Sequence, residues 1–267
     1  MAKSKDGVRL PATRAKKITA VVPAARRKDA ILRIEDQDGD GAVFRQGEVT
    51  LVVGRCYRMG DRDVVVDAAY YVDGGGAPHA AELGGADKVA WRDAATGYEC
   101  IILRETGGGY LRGFVGVEPG HPLYGFEHDA VPPELGIEVY GGLTYSAVCQ
   151  DGPSPQRRLI YEVRRICHVP VGYAPVVNAN DHRPAHDQAW WFGFDCNHVY
   201  DVVPGDRRDR DRFLGAETGA VLRDEGYVYD QVVHLAAQLR AIADGAPTPP
   251  RTGEAPPPLG IDPKRAG

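Results

Sequence analysis

The sequence predicts an α+β fold: mainly an antiparallel sheet, one long C-terminal helix packed on it, and a small N-terminal β module. Three observations carry this expectation. The chain holds 33 glycines and 20 prolines in 267 residues, which cuts it into short elements joined by many turns. Runs rich in Val, Ile, Leu and Tyr alternate with turns containing Asp and Gly, as in a meander of short strands. Only one stretch, near the end, sustains a helical apolar period.

The composition narrows the class. Apolar residues make up 43% and charged residues 26%, as in ordinary globular chains, and the length suits one large domain or two small ones. A net charge of −5 argues against a nucleic-acid binder overall. No apolar run approaches the roughly 20 residues of a membrane span. The basic N-terminus has no apolar stretch behind it, so a secretory signal is not expected. Five cysteines, an odd number with no close pair, predict reduced thiols in cytoplasm and neither a disulfide framework nor a CxxC zinc site.

In chain order, residues 1–28 form a basic flexible arm that could touch nucleic acid or an acidic partner; a solvated terminus is the simpler reading. Residues 29–76 form the small β module, with strands over 30–35, 49–57 and 63–72. Its turn Asp36-Gln37-Asp38-Gly39-Asp40-Gly41 opens like an EF-hand loop. Position twelve is Gly47, so the bidentate carboxylate is missing and a polar hairpin turn is expected. Asp73-Gly74-Gly75-Gly76-Ala77-Pro78 reads as a linker.

The core domain is expected over 88–245. Strands are read at 88–91, 98–104 and 110–117, with Gly107-Gly108-Gly109 turning the last two into a hairpin. Gly113 and Gly116 inside the third strand suggest a bulge or a close backbone approach. Further strands are expected over 135–139 and 159–169, then a polar loop over 170–189. His182 and His186 in that loop are four apart, but Pro184 lies between them and Arg183 stands where a zinc protease needs Glu. The aromatic strand Trp190–Phe194 follows, then a mixed-charge loop including 206–212. The helix is read from Val228, Val232, Leu235, Leu239 and Ile242, with Asp224 and Glu225 at its start and Gly245 at its stop. Residues 246–267 are expected to be a disordered Pro-rich tail.

The candidate site centres on the end of the aromatic strand, where Asp195, Cys196, His198 and Asp201 crowd together. In one reading His198 is a general acid or base oriented by Asp195 or Asp201, because a carboxylate partner fixes the tautomer of a group that titrates near neutrality. His121, stiffened between Pro119 and Pro122, would be a second proton carrier. Tyr140, Gly141, Gly142, Thr144 and Ser146 would bind the substrate, the glycine amides holding an anionic group. In a second reading Cys196, His198 and Asp201 hold zinc with a distant histidine. In a third nothing reacts, and the pocket only binds a small ligand.

Four blocks, Gly113–Val117, Gly120-His121-Pro122-Leu123-Tyr124-Gly125, Gly141-Gly142-Leu143-Thr144-Tyr145-Ser146 and Phe192–His198, resemble a set found in uncharacterised bacteriophage and bacterial proteins. Those proteins often carry His before the Gly-Gly pair and a small-Gly-Asp ending after the second His block. Here the places hold Tyr140 and Val199-Tyr200-Asp201. The resemblance implies a phage setting and a domain over about 88–243. In that setting the expected function is a hydrolase of a phosphate-containing or nucleotide-like substrate, such as a host defence messenger. The alternatives are a protein that sequesters such a ligand without turnover, or a structural phage protein that binds a partner.

Overall fold

The computed structural model describes residues 33–36, 41–72, 84–149, 159–167, 189–198, 200–204 and 221–250. Outside these residues lie the basic arm 1–28, most of the EF-hand-like turn, the linker at 73–78, the loop with His182 and His186, the charged run 206–212 and most of the tail.

Among the described residues, nine strands form one antiparallel sheet: β1 (Arg33–Asp36), β2 (Ala42–Gln46), β3 (Val49–Met59), β4 (Arg62–Val72), β5 (Lys88–Arg92), β6 (Glu99–Arg104), β7 (Leu111–Val117), β8 (Tyr145–Val148) and β9 (Trp190–Asp195). Seven pair in sequence order; β9 then inserts between β7 and β8, leaving β8 at the edge. Of the strands expected in this part, those over 49–57 and 63–72 are present as β3 and β4 and the one over 30–35 overlaps β1, whereas β2 was not expected. This part runs without a break into the rest, because β4 pairs with β5 from Ala68↔Ala90 to Tyr70↔Lys88. A module boundary at 73–78 would fall among residues outside the described set.

Both sheet faces are covered, which is why β6 reads as a continuous apolar run and not as an alternation. One face buries Tyr57, Trp91, Ile102, Val115, Phe192 and Phe194 under the helix α2 (Glu225–Ala243). The other buries Leu51, Tyr70, Ile101, Phe114 and Trp191 with the short helix α1 (Leu159–Arg164).

The α2 helix begins and ends where the sequence predicts. Asp224 caps it by accepting from the Tyr227 amide at 2.8 Å, and Gly245 follows with φ +65°. Val228, Val232, Leu235 and Leu239 are fully buried. Each contributes on the order of 1.5–3 kcal/mol, so docking to the sheet outweighs helix propensity. The strand glycines make room: a Cβ on Gly113 would stand 2.5 Å from the Phe194 ring and from Val232. The register through Gly113 and Gly116 is unbroken, so these glycines mark close approach and not a bulge.

Three expectations change. Residues 135–139 are not a strand: Pro133–Leu135 is a 3-10 turn ending at Gly136, φ +62°. Pro132 and Pro133 lack the amides a ladder needs. Instead the Glu138 and Tyr140 amides donate to Gln238 Oε1 at 2.6 Å and Gln231 Oε1 at 3.0 Å, so two glutamines of α2 stand in for a neighbouring strand. The segment from Leu159 is helical, not extended. Its buried Leu159, Val163 and Ile166 fall four and three apart, and that packing overrides the β-branched composition. Finally, Cys149 and Cys167 are joined in a disulfide, where reduced thiols were expected; Cys56, Cys100 and Cys196 are free. No helix among the described residues is long and apolar enough to cross a membrane.

Candidate functional site

Beyond β9 the chain keeps one more ladder bond, from the Cys196 amide to the Leu111 carbonyl at 3.0 Å, and the Asp201 amide then bonds back to the His198 carbonyl at 3.0 Å as in a turn. Asp201 closes that turn. Its Oδ2 accepts from the His198 amide at 2.8 Å and lies 3.3 Å from His198 Nδ1. Its Oδ1 accepts from the Tyr140 hydroxyl at 2.5 Å and from Arg223 Nε at 3.2 Å. Burial by itself raises the Asp201 carboxyl; the hydrogen bonds from His198, Tyr140 and Arg223 outweigh it and hold the group below the usual carboxylate range. Burial and the neighbouring Asp201 push the Tyr140 hydroxyl up, so it stays protonated as donor.

Aromatic packing locks this hub. The Tyr140 ring meets His198 edge-on at 5.1 Å and Tyr227 at 5.6 Å, and the Arg223 guanidinium lies 4.7 Å over Tyr140 and 4.6 Å over Tyr227. Gly141 has φ +70°, and a Cβ there would collide with His198 Cε1 and Nε2. The second glycine is already occupied: the Gly142 amide donates to the Val139 carbonyl at 3.0 Å. The structure therefore brings together His198, Asp201, Tyr140 and Gly141, with His198 5% exposed and Asp201 fully buried.

The other sequence-predicted residues lie elsewhere. Asp195 points to the opposite face of the sheet, as alternation along β9 requires. There it bonds Arg112 Nε, accepts from Thr144 Oγ1 at 3.0 Å, and cannot orient His198; Asp201 does so instead. Ser146 Oγ donates to Glu127 Oε2 at 3.0 Å and accepts from the His128 amide at 2.7 Å, an arrangement that links a turn to the edge strand. His121 pins the 118–125 turn to α2. Its Nδ1 accepts from the Leu123 amide at 3.0 Å, so Nε2 carries the proton given to the Leu239 carbonyl at 2.9 Å. Burial lowers its pKa and keeps it neutral. Leu239 is eight residues along α2 from Gln231, about 12 Å from the turn of helix that holds Tyr140.

For a metal, no donor set assembles among the described residues, and His168, one candidate for the distant histidine, lies outside them. Among the described residues no three His, Cys, Asp or Glu side chains form a group that could hold one. Burial pushes the Cys196 thiol well above its ordinary value, which disfavours the thiolate a zinc ion needs.

An open cleft of about 330 Å³ lies beside the hub, at the start of α2. Arg104 and Arg223 reach it, Tyr110 and Cys196 line it, and Val202 and Leu222 form an exposed apolar rim. Asp224 and Glu225 line the same cleft, and both arginines already have carboxylate partners. Arg104 Nη2 pairs with Glu225 Oε1 at 2.9 Å, Glu225 Oε2 accepts from the Tyr57 hydroxyl at 2.9 Å, and Arg223 is held by Asp201. Sequence reasoning missed both arginines. A cue existed for one: Arg223 directly precedes the Asp224-Glu225 helix start. Arg104 ends a strand and carries no local signature.

No family model matches the chain, and neither does any curated protein or solved structure.

Proposed function

We propose that the chain binds and sequesters a small, phosphate-bearing, nucleotide-like ligand in the cleft at the start of α2. The observation that carries this reading is that Arg104 and Arg223 line one open cleft with Tyr110 and an apolar rim, beside Asp224 and with Glu225 of the same lining holding Arg104 in place. Guanidinium groups match phosphate oxygens two at a time, and an arginine already braced by a carboxylate loses little freedom on binding. Tyr110, Val202 and Leu222 would take a flat, less polar portion of the same ligand. The bacteriophage setting implied by the sequence blocks fits a host defence messenger of this chemistry.

Hydrolysis is the second reading, favoured by the linked His198–Asp201–Tyr140 array directly behind Arg223. In it His198 would move a proton and Asp201 would fix its tautomer. The burial of both groups is what places sequestration first.

Titration of the purified chain with a nucleotide panel, including cyclic dinucleotides, tests both. Sequestration predicts binding weakened at least about tenfold in Arg104→Ala, with intact ligand recovered after denaturation. Product formation that His198→Ala abolishes would replace it with the hydrolase. Absence of binding to any member would leave a structural or partner-binding role.

A further inference from the structure

We propose that Cys149 and Cys167 form a reversible dithiol–disulfide couple that latches α1 to the end of β8. Cys149 follows β8, the outermost strand, and its amide bonds the Ala189 carbonyl at 2.9 Å. Cys167 follows α1. Their Cα atoms stand 5.1 Å apart, within the range a disulfide spans. The bond therefore ties the short helix on one sheet face to β8, the last strand of the sheet among the described residues.

Arg165 touches one sulfur of this bond, and the buried Lys88 braces the backbone carbonyls around it. Lys88 Nζ donates to the carbonyls of Glu162 at 2.9 Å, Arg165 at 2.7 Å and Cys167 at 3.2 Å. Arg165 Nη2 stands 3.7 Å from Cys149 Sγ, and Glu162 answers Arg165 at 3.3 Å. Positive charge beside a cysteine favours its thiolate, which stabilises the reduced pair and makes the bond easier to break than a purely structural one.

The sulfurs are buried, so exchange needs an opening, and α1 supplies it. Six residues are too few for a helix to hold itself. Leu159, Val163, the Lys88 bonds and the disulfide keep it on the sheet, and such a segment opens locally before the sheet does. A glutathione-type thiolate then attacks one cysteine sulfur, the S–S bond breaks, and the other cysteine leaves as thiolate. A second glutathione thiolate attacks the glutathione sulfur of the mixed disulfide and frees the first cysteine. Two electrons pass from two glutathiones to the protein, glutathione disulfide is the product, and the two thiol protons pass to the cysteine sulfurs or to solvent.

The test uses the full chain carrying Cys56→Ser, which removes the exposed thiol. Samples equilibrate at pH 7 in graded glutathione buffers, are acid-quenched, alkylated and read by peptide mass spectrometry. Cys149 and Cys167 are expected to gain label together at an intermediate ratio, and amides 159–164 to exchange at least about tenfold faster in the reduced form. Arg165→Gln should shift the midpoint roughly tenfold toward the disulfide, with Arg165→Lys restoring it. A pair that stays oxidised in excess reduced glutathione, or never forms, overturns the proposal. So does an α1 exchange rate that is the same in both states, and this wild-type comparison decides the matter if Arg165→Gln does not fold.

Discussion

The imidazole of His198 occupies the space that a side chain on residue 141 would need. Glycine is thus required at 141 twice over: for φ +70° and for the room His198 takes. The glycine pair that the sequence offered as an anion cradle is in part a seat for the histidine. The Tyr140 ring beside it and Asp201 beneath complete that seat.

Gly141→Ala should therefore destabilise the chain by about 1–3 kcal/mol, since it combines backbone strain with a collision. At this size that lowers Tm by roughly 2–4 °C per kcal/mol. The double variant Gly141→Ala with His198→Ala should recover the steric share and keep the backbone share. Thermal unfolding of the two singles and the double checks this; strict additivity would mean that the two residues do not meet.

Asp201 should behave as a buried acid that folding needs ionised. Its folded pKa lies below the unfolded value, so its contribution is present above the ordinary carboxylate range, about pH 4, and is lost as pH falls through the lower folded value. Asp201→Asn leaves Arg223 facing a neutral amide between two tyrosines and should cost about 3–5 kcal/mol at neutral pH. Urea unfolding between pH 2.5 and 7 would check it: the wild-type advantage over the variant should shrink toward the acid end.

Much of the fold was legible, because periodicity and turn chemistry are local. The hairpin glycines at 107–109, the stripe from Val228 to Ile242 and the Asp224 cap each declare themselves within a few residues. The segments read wrongly are those whose hydrogen bonds are settled from a distance. Residues 135–140 take their partners from Gln231 and Gln238, about 100 residues away in sequence, and α1 owes its shape to packing beneath β3 and β4. In the site, Asp195 and Asp201 look equivalent in sequence. Only the two-residue alternation of β9, with the turn after it, sends them to opposite faces, and nothing local announces that Arg104 will meet Glu225 across 121 residues.

Lys88 gives a test on the other face. Burial, with Arg165 adding to it, pushes the ammonium down from 10.5 to about 7, although Glu162 opposes the shift and three carbonyls accept from Nζ. The unfolded chain then binds the extra proton between about pH 7 and the ordinary lysine value near 10.5, so this group's contribution to stability rises with pH across that window. Measured as wild type minus Lys88→Met by urea unfolding from pH 6.5 to 10, the difference should grow in favour of wild type, at most about 1.4 kcal/mol per pH unit. A flat difference would mean that Lys88 keeps an ordinary affinity for its proton.

The last prediction concerns the glutamines that replace a strand. Gln238 is fully buried, accepts from the Glu138 amide at 2.6 Å and donates to the Glu138 carbonyl at 2.9 Å, the double contact that a neighbouring strand would make. Gln238→Leu keeps the volume nearly constant but strands both backbone groups away from water, at about 1–3 kcal/mol each. Gln238→Glu retains the acceptor and loses the amide donor, so it should cost more, because the buried carboxylate would face the Glu138 carbonyl. The order wild type, Gln238→Leu, Gln238→Glu in falling Tm, with faster hydrogen exchange at Glu138 and Tyr140 in both variants, is the expected outcome. Since the same segment carries Tyr140 into the Asp201 hub, both variants should also loosen the His198 seat. That loosening would appear as altered chemical shifts of the His198 ring, whereas His121, held by its own bonds to Leu123 and Leu239, should keep its shifts.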